Sequence, residues 1–189
     1  MNRMLWIALP TLALAGCNRA APPPAENAAL DNGIETNTAD AAPVPITDAA
    51  TYLAKAGAGD LFEIESSRAI ADKTSNAGIK AFAQMMITDH TKSTAQLKAA
   101  AQEAGVTAPT PMLDPAQQQT LDEIKAATGA AADSAYLSAQ RTGHSEALAL
   151  HSGYAVGGDT EQLKKAANEI APVVQHHIDQ LAKLSAAEQ

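Results

Sequence analysis

The sequence contains one cysteine and very few aromatic residues among its 189 positions. A single cysteine excludes both a disulfide framework and a zinc site built from cysteines. Aromatic residues make up 3% of the chain. The other strand-forming residues are also scarce, which argues against a β-sandwich or a parallel α/β sheet. Basic residues number 13 against 21 acidic ones, for a formal net charge of −8. This balance argues against nucleic acid as a partner.

Alanine is the abundant residue, with 44 copies in a chain that is 46% hydrophobic. Because alanine is the strongest helix former, the composition predicts an all-α protein packed through small side chains. The length suits one domain with appendages and is sufficient to bury a core. The sequence has no G-x-S-x-G motif and no P-loop, so nothing in it predicts hydrolase or nucleotide chemistry.

The first 16 residues have the pattern of a secretory signal peptide. Arg3 supplies the positive charge, and residues 4–13 form an apolar run that is too short to span a bilayer as a mature helix. Leu-Ala-Gly-Cys at positions 14–17 matches a bacterial lipobox, in which the cysteine thiol is lipidated. The alternative is a plain secretory signal with Cys17 near the cleavage site by coincidence. We favour the lipoprotein, because the single cysteine of the chain stands at the lipidation position.

Lipidation of Cys17 would anchor the protein to a membrane and leave its domain in the aqueous phase. Asn18 stands where an aspartate is the familiar signal for retention in the inner membrane. We therefore expect the periplasmic side of the envelope, with the outer membrane favoured over the inner. Residues 17–46 are rich in Ala and Pro and show no apolar period, which predicts a disordered tether.

Residues 47–185 show helix signals throughout and are predicted to form the folded domain. Two short polar turns and a longer Pro-containing connection separate four long helices, and the connection holds one extra short helix. This order predicts an all-α, up-down four-helix bundle. The predicted helices are 48–73, 77–104, 115–128, 131–156 and 160–184. Gly105 is expected to stop the second helix, Asp114 and Pro115 to open the third, and Val173 to lie on the inner face of the last.

One polar residue on each long helix falls in phase with the apolar positions of its inner face. These four residues are Glu63, His90, His144 and His177. Counting from the turns places them near one level of the bundle, with axial mismatches of about 5 to 8 Å at the helical rise. His151 lies one heptad after His144 and is expected at the periphery of the layer. His176 points about 100° away from His177 and is expected at the edge.

A buried carboxylate and several imidazoles are costly unless they are paired or metal-bound. One interpretation is a metal site, since this donor set suits iron, zinc, manganese or copper. The alternative is a hydrogen-bonded polar layer, in which Glu63 accepts from His90 or Tyr136. Asp89 is expected either at the helix surface or as a partner that orients a ring. A third interpretation is a pH sensor, because histidines titrate near neutrality.

Several segments resemble the ferritin-like family catalogued as domain of unknown function 4142. The resemblance covers residues 48–184, nearly the whole predicted domain. It is carried by AGAGDLFEIE at 56–65, IKAFAQMMITDH at 79–90, Ala-Gly-Val at 104–106, Tyr136, His144, and Ala-Pro-Val-Val at 171–174 leading to His177.

The resemblance implies a ferritin-like bundle in the bacterial envelope with no agreed activity. It also implies that Glu63, His90, His144 and His177 are polar residues of the bundle interior. The chain departs from di-iron proteins, because neither His90 nor His177 has a glutamate three residues earlier. A mononuclear, histidine-rich site is therefore expected rather than di-iron chemistry, and an enzyme is not favoured. The alternative function is a structural or interaction protein with a hydrogen-bonded layer.

Overall fold

The computed structural model describes residues 46–187 and the side chains of these residues up to Leu184. The predicted signal peptide, Cys17 and nearly all of the predicted tether lie outside the described residues. The described part is all-α, as predicted, with five helices and no strand. The helices are α1 (Ala49–Ala71), α2 (Ala77–Glu103), α3 (Pro115–Ala126), α4 (Gly129–Gly157) and α5 (Glu161–Ala187).

Capping residues fix the starts of α1, α2 and α3, and every helix boundary lies within three residues of its prediction. Asp48 accepts a hydrogen bond from the backbone N–H of Thr51, and Asn76 caps α2 in the same way. Asp114 forms a capping box with Gln117 ahead of the proline that begins α3. These side chains satisfy N–H groups that have no partner inside the helix.

Glycines in the left-handed backbone region separate consecutive helices. Gly105 has a φ of 69° directly after α2, where the N–H of Val106 returns to the carbonyl of Ala101. Gly129 has a φ of 55° and begins α4, so it reverses the chain after α3 as well as interrupting the helical run. A side chain at either position would be strained, which explains the choice of glycine.

The long helices pack in a ring, in which α1 and α5 each contact both α2 and α4. The short α3 packs on α1 and α4. The buried apolar residues form two clusters, one containing Tyr52, Leu97 and Ile170 and the other containing Ile79, Phe82 and Leu137. On α2, α4 and α5 the predicted histidine falls between stretches that supply the two clusters, and on α1 Glu63 directly follows Phe62 of the second cluster. A buried polar layer therefore separates two apolar halves of the core.

The inner face of α5 differs from the prediction at one position. Val173 was expected to face inward, but it is 41% exposed and Val174 is buried instead. Both valines are in phase with Ile170 and His177, but they point about 100° apart, and only Val174 packs into a buried apolar cluster. Among residues 46–187, no helix combines the length and the apolar character that crossing a membrane requires.

Candidate metal centre

Three histidines from three helices converge in the polar layer. Each of His90 in α2, His144 in α4 and His177 in α5 offers a nitrogen, and the three nitrogens lie within 4.8 Å of one another. All three residues are at most 5% exposed. The sequence predicted these residues on the inner faces of their helices, and the structure brings them together at one level.

His90 is held by a carboxylate that the sequence reading did not single out. Its Nδ1 lies 2.8 Å from Oδ1 of Asp60, whose second oxygen accepts a hydrogen bond from Thr94. Since an ionised carboxylate can only accept, Nδ1 of His90 is the donor. Its Nε2 is buried and has no hydrogen-bond partner among the described residues. In the neutral ring the lone pair is therefore on Nε2.

The other two rings are fixed in the same manner. Nδ1 of His144 donates to the backbone carbonyl of Gln140 over 2.8 Å. Nε2 of His177 donates to the carboxylate of Asp89 over 3.0 Å. The prediction that Asp89 orients a ring thus describes its position better than the surface alternative. A ligating histidine commonly donates its second N–H to a carboxylate or a backbone carbonyl, and all three rings have such a partner.

The remaining nitrogens of His144 and His177, which do not bond Gln140 or Asp89, point their lone pairs towards each other. We call these two the inner nitrogens and the other two the outer nitrogens. Nε2 of His144 lies 3.2 Å from Nδ1 of His177. With both outer nitrogens donating, neither inner nitrogen of the neutral rings carries a proton, so a direct hydrogen bond between them is excluded. Two nitrogens bound to one tetrahedral Zn²⁺ are about 3.3 Å apart at ordinary Zn–N distances. The separation therefore fits a shared cation between the rings.

The three imidazoles differ in basicity. Burial lowers the pKa of His144 to about 3, and the nearby charge of His90 acts in the same direction. Burial also lowers the pKa of His177, against the hydrogen bond to Asp89. Burial opposes protonation of His90 too, but the bond to Asp60 and the charge of Glu63 outweigh it and raise its pKa. Two of the three rings are thus neutral at pH 7, as metal ligands must be.

Glu63 lies beside the three histidines without joining their group. Its Oε1 is 3.6 Å from Nδ1 of His144, and its Oε2 is buried with no hydrogen-bond partner in the part of the chain that the structure describes. Burial raises the pKa of the Glu63 carboxyl to about 7, against the opposing effect of His90. The partners expected for Glu63 in a hydrogen-bonded layer are engaged elsewhere, because Tyr136 bonds Ser67 and His90 bonds Asp60. That part of the alternative prediction is wrong.

His151 belongs to a separate aromatic group. Its Nδ1 lies 2.9 Å from the hydroxyl of Tyr52, whose ring stacks on Tyr154 at a centroid distance of 3.8 Å. His151 therefore lies outside the group of three histidines, as predicted. It is nevertheless buried in the protein, with only 4% of its surface exposed. His176 is exposed on α5, as expected.

Asp60 is the residue of this site that the sequence analysis missed. It stands three residues before Glu63, so both carboxylates lie on neighbouring positions of one helix face. That spacing was the available signal. The carboxylate itself is only 4% exposed, and it reaches a histidine 30 positions further along the chain. A pairing at that separation depends on how α1 and α2 pack.

An open cleft of about 650 Å³ lies between α1 and α4 and reaches the polar layer. Small residues form much of its walls, among them Gly59 on α1 and Gly143, Ala147 and Gly153 on α4. Glu63, His90 and His151 also line it. The cleft therefore connects solvent with the side of the polar layer that carries Glu63.

Gly143 provides the space that the carboxylate of Glu63 occupies. A Cβ at this position would lie 2.8 Å from Oε1 of Glu63, whereas a Cβ at Gly153 would contact nothing within 4 Å. We expect Gly143→Ala to lower the free energy of unfolding by about 1 to 3 kcal/mol through overpacking. The matched Gly153→Ala should raise it by about 0.5 to 1 kcal/mol through helix propensity. Urea unfolding measures both, and equal stabilisation would show that Glu63 moves freely.

Comparison with known proteins gives one match. The family model described as a domain of unknown function, DUF4142, matches residues 34–184. No curated protein matches the chain, and no solved structure does. The match spans all five helices except the last three residues of α5.

Proposed function

The chain belongs to the DUF4142 family of domains of unknown function, and from that premise we propose that it is a lipid-anchored envelope protein that binds a transition metal. In this proposal the four long helices form a ferritin-like four-helix bundle, with α3 in the connection between its two halves. The ring-like packing of α1, α2, α5 and α4 supports that arrangement.

The metal ligands in this proposal are His90, His144 and His177. The observation that carries it is the orientation of the rings. In each ring one N–H group donates to a partner outside the group of three histidines, which leaves the other nitrogen to face that group. Glu63 and Asp60 supply negative charge beside the cation. Three nitrogen ligands leave a coordination position open, where zinc would supply Lewis acidity and iron, manganese or copper would supply redox chemistry.

The test of the metal site is elemental analysis of untagged full-length protein after exposure to each metal and removal of the excess. We expect about one metal ion per chain in the native protein and none in His90→Ala/His177→Ala. His176→Ala is the matched control, because His176 is exposed on the same helix as His177. Native protein without metal would refute the site and favour the alternative, a structural or interaction protein with a hydrogen-bonded layer.

The envelope location in this proposal rests on the sequence around Cys17. The lipobox pattern at positions 14–17 and the following Asn18 support an anchor in the outer membrane. In a bacterial host with two membranes, Cys17→Ser should move the protein from the membrane fraction to the soluble periplasmic fraction. Cys17 in the native protein should carry acyl chains by mass spectrometry. An unmodified Cys17, or a signal peptide cut at another position, would contradict the anchor.

A further inference from the structure

The cleft between α1 and α4 is larger than a metal ion needs. Its volume of about 650 Å³ is in the range of pockets that hold small organic molecules. Its walls carry Gly59, Ala147 and Gly153, and the two glycines have open space where a side chain would project. Such smooth walls accommodate an apolar chain but provide few groups that would select it. Selection must therefore come from the polar residues of the cleft.

Two residues of the cleft carry buried polar atoms without a partner. Oε2 of Glu63 and Nε2 of His90 have no hydrogen bond to the described residues, and both residues are at least nine-tenths buried. Oε2 of Glu63 accepts hydrogen bonds as a carboxylate oxygen, and Nε2 of His90 accepts them when the ring is neutral, because Nδ1 then holds the proton that bonds Asp60. A buried acceptor without a donor is costly, so the complementary ligand is a hydrogen-bond donor.

The charges around the cleft favour a cation over a neutral donor. Four carboxylates and one ammonium group line it, and the carboxylates belong to Asp60, Glu63, Asp114 and Glu146 while the ammonium belongs to Lys55. His90 also lines the cleft and its bond to Asp60 offsets one of these carboxylates, but the remaining excess of negative charge between apolar walls still attracts a cation and repels an anion. An ammonium group supplies both the charge and several N–H donors.

We propose that this cleft binds a small organic ammonium ion, whose charged group pairs with Glu63 and whose apolar chain lies along the α4 wall. The ammonium group donates to Oε2 of Glu63, and the chain passes Ala147 and Gly153 towards solvent. The site requires no metal, since Glu63 lies outside the group formed by the three histidines. If the three histidines bind a metal, Nε2 of His90 belongs to that metal and Glu63 alone receives the ammonium group.

The test uses n-butylammonium as the probe, with n-butanol and n-butyrate as neutral and anionic controls of the same length. Each is titrated into chelator-treated, isotope-labelled full-length protein at pH 7.5, and amide chemical shifts are followed by NMR. We expect saturable shifts for butylammonium at residues of α1 and α4 that line the cleft. Its affinity should exceed that of either control at least fivefold.

Variants then identify the group that selects the cation. Glu63→Gln keeps the shape of the side chain and should weaken butylammonium binding at least tenfold. Glu103→Gln is the control, because Glu103 is exposed at the end of α2 and does not line the cleft. Gly153→Leu should fill the cleft and weaken butylammonium binding while leaving Glu63 unchanged.

Three results would overturn the proposal. Equal or tighter binding of butyrate would show that the charge of the cleft does not select cations, and equal binding of butanol would show an apolar cleft only. Native affinity in Glu63→Gln would remove the recognition group. Because the protein is free of metal throughout, these results are independent of the metal analysis. Loss of the metal site alone would leave the amine site standing.

Discussion

Replacing Asp60 by Asn is expected to lower the affinity of the protein for Zn²⁺ by about 10- to 100-fold, the usual cost of losing a partner of a ligating histidine. Asp60 accepts from Nδ1 of His90 and from the hydroxyl of Thr94, which fixes both the carboxylate and the ring. Asn keeps the size of the side chain but removes the charge. The ring becomes less basic, and the amide can also turn its NH₂ group towards it.

A second carboxylate of the site provides the matched control. Asp89 accepts from Nε2 of His177, but its side chain is 32% exposed, whereas that of Asp60 is 4% exposed. Because water can replace part of an exposed hydrogen bond, Asp89→Asn should have the smaller effect. A competition titration against a chromophoric chelator measures both affinities, and circular dichroism checks the helix content. Affinity within twofold of native in Asp60→Asn would show that Asp60 does not support the ligand.

The second large expected effect is a loss of folding stability at acidic pH. Burial lowers the pKa of His151 from 6.5 to about 4, while Asp60 opposes this shift and His90 adds to it. Tyr52 bonds the ring, and Tyr154 stacks on Tyr52. Below pH 6.5 the unfolded chain protonates at this position while the folded protein does not. The contribution of neutral His151 to the free energy of unfolding is therefore complete above pH 6.5 and is lost as the pH falls towards 4.

This shift corresponds to about 3 kcal/mol of unfolding free energy between pH 7.5 and pH 4. We expect His151→Gln, which can still bond Tyr52, to lose stability less steeply with acid than the native protein by about that amount. Urea unfolding of chelator-treated protein at several pH values measures the difference. His176→Gln, at an exposed position of α5, should leave the native slope unchanged. Parallel slopes for the native protein and His151→Gln would contradict this prediction.

Local sequence signals were sufficient for the helices of this protein. Asp114 caps α3 and Gly105 follows the end of α2, as the sequence predicted, and Asn76 of the predicted polar turn caps α2. These signals are reliable because a cap acts on backbone groups within a few residues of itself. The DUF4142 match likewise confirms the family resemblance that the motifs indicated.

Helical phase was nearly as informative for the buried polar residues. The period of 3.6 residues places His90, His144 and His177 on inner faces, and all three are buried together. Helical phase did not distinguish two adjacent valines of α5. Val173 was predicted to face the core, but Val174 does so instead. Adjacent residues of equal hydrophobicity differ by about 100° in direction, and only contact with the other helices selects one of them.

The sequence by itself thus determined the helices, their inner faces and the family of the chain, because these depend on neighbours one or two turns away. Tertiary structure alone decided how the rings of His90 and His177 are turned, since their partners Asp60 and Asp89 lie 30 and 88 residues away from the histidines they bind. It also decided that Glu63 meets Gly143 beside an open cleft. The axial offset between packed helices fixes such meetings, and a residue pattern along one helix does not contain that offset.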